Sequence, residues 1–336
     1  MRFLLVLLFA TLPVLDAAAQ DVVKIRLGTL APRGTTWHRA LLEMGEKWRA
    51  GQGAGATFIV YTDGSQGSES DMVRRMRVGQ LNAALLSVVG LNDIDDSVTA
   101  LQKMPMIFRS WEELDYVREK LRPELEKRFH EKGFVVLCWG DAGWVRFFSK
   151  SPVATPADLR KLKLFAWAGD SAQGDIMKAL GYQPVPLEVA DILPALQTGM
   201  IQALPSSPFW ALTLQFYSQA DHMLDMNWAP LVGAVVITRK SWDSLSPAGQ
   251  KALRGAGEAA GVQLRAISRR ENEEAVLAMK RRGLKVQAVT PEAEAEWRRQ
   301  AEQLYPMIRG KLVPAERFDE VQRLLREYRA DAAGRS

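Results

Sequence analysis

The chain has 336 residues, of which 25% are charged and 47% hydrophobic, and a formal net charge of +5. Those fractions are ordinary for a globular protein, and the length suffices for two domains. The positive excess does not mark a nucleic-acid surface, because bases and acids mix along the same stretches, as in residues 269–274 and 292–299.

The N-terminus reads as a removable export signal. Arg2 gives a positive start, residues 3–15 form an apolar run broken only by Thr11 and Pro13, and Ala17, Ala18 and Ala19 are the small residues a signal peptidase needs. The run is shorter than the ~20 residues of a bilayer span. No cysteine lies near the cut to carry a lipid anchor, and a single arginine precedes the apolar run, which argues against the twin-arginine route. Beyond Ala19 no apolar stretch is long enough for a membrane helix, so the mature chain is expected to be soluble and to work outside the cytoplasm. Cys138, the one cysteine, sits in the apolar run 134–139 and reads as core; the fold must hold without an internal disulfide.

After the cut, Val23, Ile25 and Leu27 alternate with Lys24 and Arg26, the mark of a strand. A loop at residues 31–35 leads to a helix carrying Trp37, Leu41, Met44 and Trp48 on one face. Residues 57–61 read as a strand, 68–79 as a helix and 82–87 as a third strand. This rhythm implies a parallel sheet covered by helices. It resumes with a strand at 134–139, a helix start at Thr155-Pro156, a strand at 162–167 and helices at 171–181, 190–199 and 208–218. An apolar strand at 232–238 precedes one long helix over 247–282, with Leu253, Gly257, Ala260, Leu264 and Ile267 on its apolar side. A strand at 284–289 and charged helices at 291–308 and 314–328 follow, and the small, polar end of the chain is expected to fray. Two α/β halves of similar size, with the chain passing between them more than once, make a cleft where strand ends meet.

Enzyme chemistry finds no foothold. His38, His130 and His222 are far apart and none has a metal-ligand spacing. The glycine-rich residues 51–55 follow a helix, where a dinucleotide fingerprint follows a strand, so they read as a helix stop. The acidic residues 92–96 lack the ordered spacing and glycine of a calcium loop and read as helix caps. No cofactor and no metal are expected.

Three groups of segments carry a family likeness. The first is Tyr61-Thr62-Asp63-Gly64-Ser65-Gln66-Gly67, then a helix and Gly79-Gln80-Leu81-Asn82. The second is Gly143-Trp144-Val145-Arg146, then Thr155-Pro156-Ala157-Asp158-Leu159-Arg160-Lys161-Leu162-Lys163-Leu164. The third is Lys178-Ala179-Leu180-Gly181 with Pro184-Val185-Pro186, then Ala195-Leu196-Gln197-Thr198-Gly199. In this order, from about residue 24 to about residue 260, the chain resembles the extracytoplasmic solute-binding subunits of tripartite ATP-independent periplasmic (TRAP) transporters. The resemblance implies a two-domain α/β periplasmic-binding-protein fold of type II-like design. Each domain would be a mostly parallel sheet flanked by helices, with a hinged cleft between them and a long helix bracing both. It implies a periplasmic location and delivery of a small molecule to membrane permease subunits. The expected division is a signal at 1–19, a first domain of 20–143 plus 231–270, a second of 144–230 plus 271–330, and a flexible tail at 331–336.

The likeness breaks at two places. Members that carry organic acids usually have an arginine in the strand after the Asp-Leu-Lys-Gly-Leu-Lys run, where its planar fork grips a carboxylate. The matching position here is Phe165. Loss of one charge-assisted bond costs about 1.5–3 kcal/mol, or one to two decades of affinity. After Gly199, where the family continues with polar residues, this chain reads Met200-Ile201-Gln202-Ala203-Leu204-Pro205-Ser206-Ser207-Pro208-Phe209-Trp210. Phe165, Trp167, Phe209, Trp210, Trp228 and Trp37 are therefore candidate ligand-lining rings, and each is equally a candidate for the core. Arg146 matches an arginine that often contacts ligand in the family; the alternative is a strand-end arginine paired with an acid. The expected ligand is apolar, aromatic or amphipathic with at most one carboxylate. An organic-acid receptor anchored by Arg146 and a periplasmic lipid-handling or interaction protein stand as alternatives.

Overall fold

A computed structural model describes residues 23–53 and 55–334, so the expected signal at 1–19 lies outside the described residues. The first half opens with β1 (Lys24–Thr29), α1 (Thr36–Gln52), β2 (Thr57–Tyr61), α2 (Glu69–Arg77), β3 (Ala83–Ser87) and α3 (Val88–Asn92). A 3-10 turn (Asp96–Leu101) and α4 (Trp111–Glu131) lead to β4 (Phe134–Ser149). Then come α5 (Pro156–Arg160), β5 (Lys163–Trp167), α6 (Ser171–Ala179), β6 (Gln183–Leu187), α7 (Ile192–Thr198), β7 (Ala203–Ser206), α8 (Pro208–Thr213) and β8 (His222–Leu224). The chain returns through β9 (Ala229–Thr238), α9 (Arg239–Asp243) and α10 (Pro247–Lys280), and ends with β10 (Lys285–Gln287), α11 (Pro291–Ile308) and α12 (Ala315–Ala333).

The strands form one continuous sheet in the order β2-β1-β3-β9-β4-β7-β5-β6, with β8 beside β4 and β10 beside β8. Within each half the neighbours β1–β2, β1–β3, β5–β6, β5–β7 and β8–β10 run parallel, as a strand–helix–strand rhythm requires. The middle is antiparallel, because β4 and β9 each traverse both halves. β4 runs ten residues past the strand expected at 134–139. Gly140 and Gly143 look like a break in sequence, but they sit at and beside a bulge between Asp141 and Trp144, where the chain bends and pairing continues.

Local signals hold where they rest on caps and faces. Trp37, Leu41, Met44 and Trp48 are all buried on α1, and Gly53 ends that helix with φ 99°. Thr155 and Asp158 exchange hydrogen bonds as a capping box that starts α5. Asp95 caps the 3-10 turn by accepting from the Ser97 backbone N–H. The helix expected over 208–218 is split, since Gln215 takes a left-handed φ of 60° between α8 and a 3-10 turn at Phe216–Ser218. The strand expected over 284–289 shortens to β10.

α10 has 34 residues and spans about 51 Å at 1.5 Å per residue. Its Leu253, Ala256 and Ala260 enter the core of the first half, and its Ala275 and Met279 enter that of the second. Gly257 and Gly261 let it lie directly on the β4 backbone: a Cβ at Gly257 would stand 2.7 Å from the Leu137 carbonyl oxygen. The end of the chain departs from the expected division. Phe318, Val321, Leu324 and Leu325 of α12 share a core with Leu114, Val117 and Leu121 of α4, so residues 315–330 pack on the first half. Residues 331–333, expected to fray, complete α12. No described helix is long and apolar enough to cross a membrane.

The contact at Gly257 yields a test. Helix propensity favours most side chains over glycine by less than about 1 kcal/mol, whereas overpacking against fixed backbone costs about 1–3 kcal/mol. Gly257→Val is therefore expected to destabilise the protein by about 1–2 kcal/mol in urea unfolding; a gain in stability would show that α10 is free to lift off β4.

Candidate functional site

A cavity of about 250 Å³ opens between the halves. It is bounded by the C-terminal ends of parallel strands from both sides: Leu30 after β1, Ser87 on β3, Trp167 on β5 and Ser206 on β7. This is where open α/β sheets take ligands. Four of the expected rings lie in its wall: Phe165, Trp167, Trp210 and Trp228. Phe165 and Trp167 meet edge to face at 5.7 Å. Phe147 stacks on Trp297 at 5.4 Å, and Trp228 closes the trio at 5.4 and 5.7 Å from them. The side chains of α6 add Ile176, Met177 and Leu180, and α11 adds Trp297 and Leu304.

Three expected residues stand elsewhere. Phe209 and Trp37 are buried together with Ala31, Ala40, Ala142 and Leu264, in a core behind the wall residues Trp210 and Leu231. The 3.6-residue spacing of Trp37 and Leu41 was the signal for that. Arg146 is the third. Val145 and Phe147 line the cavity and Arg146, between them, does not. Its Nη1 instead meets Asp225 Oδ1 at 2.8 Å, the strand-end ion pair that stood as the alternative reading.

Two charged residues line the cavity, Glu69 and Lys103. Neither was singled out by sequence reasoning. Glu69 lies in the first turn of α2, directly after the Gly64–Gly67 segment, and Lys103 follows the 3-10 turn with no motif around it. Both are already engaged. Glu69 accepts from Ser87 N at 2.8 Å, Ser87 Oγ at 2.6 Å and Gly90 N at 2.9 Å. The Lys103 ammonium binds Asp170 Oδ2 at 2.6 Å, with both side chains less than 10% exposed. Gln102 is engaged too, its Oε1 accepting from Val232 N at 2.9 Å. Among the described residues no cluster of His, Cys, Asp and Glu forms a metal site. The wall thus offers contact area and a few fixed polar points, with no group placed for bond-making chemistry.

Burial pushes the Glu69 carboxyl above the ordinary glutamate range, against the pull of its three donors. A raised folded-state value means that folding favours the neutral form. That contribution is full below the unfolded-state pKa and is lost as pH climbs through the raised value. Glu69→Gln has no such loss. The stability of the variant minus that of the wild type, from urea unfolding, is expected to become more positive between about pH 4 and about pH 8. A difference that stays flat with pH would show Glu69 to be solvated like a surface carboxylate.

With the geometry in place, the likeness to known proteins can be weighed. The sequence model of bacterial extracellular solute-binding protein family 7 matches residues 27–311. The 2,3-diketo-L-gulonate-binding periplasmic protein of Escherichia coli is 27% identical over 239 residues, covering 68% of this chain and 69% of that one. The C4-dicarboxylate-binding periplasmic protein of Rhodobacter capsulatus is 23% identical over 257 residues, covering 76% of each. Among solved structures, a TRAP periplasmic solute-binding protein of Xanthobacter autotrophicus with bound β-D-galacturonate superposes with a TM-score of 0.82 at 18% identity, over 90% of this chain and 99% of that one. One from Shewanella oneidensis with bound succinate gives 0.83 at 16% identity, over 90% and 99%. The family is periplasmic; its members are receptors that hand small molecules to a membrane permease and are not enzymes. This chain belongs to bacterial extracellular solute-binding protein family 7, the solute-binding subunits of TRAP transporters.

Proposed function

We propose that the exported protein captures an apolar or amphipathic small molecule between its halves and delivers it to a TRAP permease. The observation that carries this reading is the cavity wall. Its two charged residues, Glu69 and Lys103, already have partners, and most of the rest is aliphatic or aromatic. Apolar area removed from water contributes roughly 25 cal/mol per Å², so such a wall rewards ligand surface that is itself apolar. Phe165 occupies the place where acid-binding relatives are expected to carry the carboxylate-gripping arginine, and a phenyl ring cannot replace that grip.

Closure would pivot at the bulge in β4, Asp141–Trp144, opposite Val232 and Pro230 of β9. A ligand that touches both walls stabilises the closed state over the open one, which is what a courier requires. Export rests on the N-terminal pattern of Arg2, the apolar run and the alanines before residue 20.

The competing reading is an organic-acid receptor, which the uronate- and succinate-bound relatives favour. Thermal-shift measurements separate the two. Octanoate, 1-octanol and aromatic monocarboxylates are expected to raise the unfolding temperature; saturation to about 100 times Kd adds about 2.7 kcal/mol. Succinate and D-glucuronate are expected to have little effect, and strong stabilisation by these two alone would overturn the apolar reading. Arg146→Ala is expected to leave ligand affinity within about threefold, since its guanidinium faces Asp225. Loss of binding in that variant would restore Arg146 as the anchor.

A further inference from the structure

Lys103, which lines the cavity, and Asp170, which does not, come from different halves of the molecule. Lys103 follows the 3-10 turn and sits beside Leu101 and Met104 in the core of the first half. Asp170 is the N-cap of α6 in the second half, where its Oδ1 accepts from Gln173 N at 3.2 Å. Its other oxygen, Oδ2, lies 2.6 Å from the Lys103 ammonium. Both carboxylate oxygens are thus occupied. An ammonium has three donors, and Asp170 is the one side chain among the described residues that Lys103 Nζ contacts at bonding distance. Among the described residues, Lys103 is also the one cation in the cavity wall.

An unpaired ammonium in so enclosed a place is strongly disfavoured and demands an anion when the halves meet. In an acid receptor the ligand brings that anion. Here the second half brings it. We propose that Asp170 is a built-in counter-anion that takes the place of a ligand carboxylate at Lys103, and that the ligand head is a neutral oxygen acceptor, such as a hydroxyl, ketone, ester or amide, received by the remaining Lys103 donors. The proposal rests on the apolar reading of the cavity and narrows it: a free carboxylate on the ligand finds the cation already neutralised and Asp170 close by to repel it.

The test compares 1-octanol with octanoate, the same chain with a neutral and an anionic head, by calorimetric titration of the full mature protein. The wild type is expected to bind octanol at least as tightly as octanoate. Asp170→Asn keeps an N-cap oxygen for α6 but frees the Lys103 charge, so the ratio of octanoate to octanol affinity should rise about tenfold or more. Lys103→Met leaves Asp170 uncompensated, so the same ratio should fall by a similar factor. A purely structural ion pair would lower both affinities together and leave the ratio unmoved. An unchanged ratio in either variant that folds, or a shift in the same direction in both, overturns the proposal. If no variant binds either probe, the apolar reading fails. Succinate then decides the proposal: it must bind Asp170→Asn at least tenfold more tightly than the wild type, and no gain overturns it.

Discussion

β4 and β9 lie side by side in antiparallel register from Phe134 to Val145, and both pass through the two halves of the molecule. The halves therefore share backbone hydrogen bonds as well as side-chain contacts. The cavity lies beside this pair, with Val145, Phe147, Ala229 and Leu231 in its wall. The bulges mark where bending is cheapest, since an extra residue there already interrupts the ladder. A half-buried ion cluster backs the second bulge. Arg269 of α10 binds Asp115 of α4 at 2.7 Å and Asp141 of β4 at 3.1 Å, and its guanidinium lies 4.6 Å from the Trp111 ring centre. One cation thus ties the long helix, the first half and the bending strand.

The placement of α10 follows from the same pair. Gly257 and Gly261 press against Leu137, Cys138 and Trp139, which are residues of β4 at and beside its first bulge. Arg265 adds a bond from its Nη1 to the Trp139 carbonyl at 2.8 Å. From that seat the helix runs on to Asn272, which donates to the Ala142 carbonyl and accepts from the Phe209 N–H. Phe209 is held back from the cavity by this contact, and its neighbour Trp210 enters the wall. A polar side chain on the brace thus sorts two adjacent aromatics into core and site.

Local pattern reached the elements whose causes are local. Residues 57–61 and 291–308 were legible to the residue, since a run of β-branched and aromatic residues and a proline at a helix start lie in the segments themselves. Residues 111–131 were not assigned, because α4 buries its apolar face among dense charges and contains Pro123. The cavity was half legible. Phe165 and Trp167 came from a motif position, but the pairing of Arg146 with Asp225 depends on an unexpected continuation of β4 that brings β8 beside it. Lys103 and Asp170 are 67 residues apart and meet only because two halves fold against each other. No spacing rule reports such a meeting.

The indole-rich wall has a consequence of its own. Of the ten tryptophans in the chain, four border the cavity: Trp167, Trp210, Trp228 and Trp297. Trp167 and Trp210 belong to the second half, on β5 and α8; Trp228 stands just before β9, where its carbonyl accepts the Met106 N–H of the first half. Filling the space replaces water with ligand at several emitting rings at once. A ligand that filled the space would therefore be expected to change the colour and yield of the protein's ultraviolet emission.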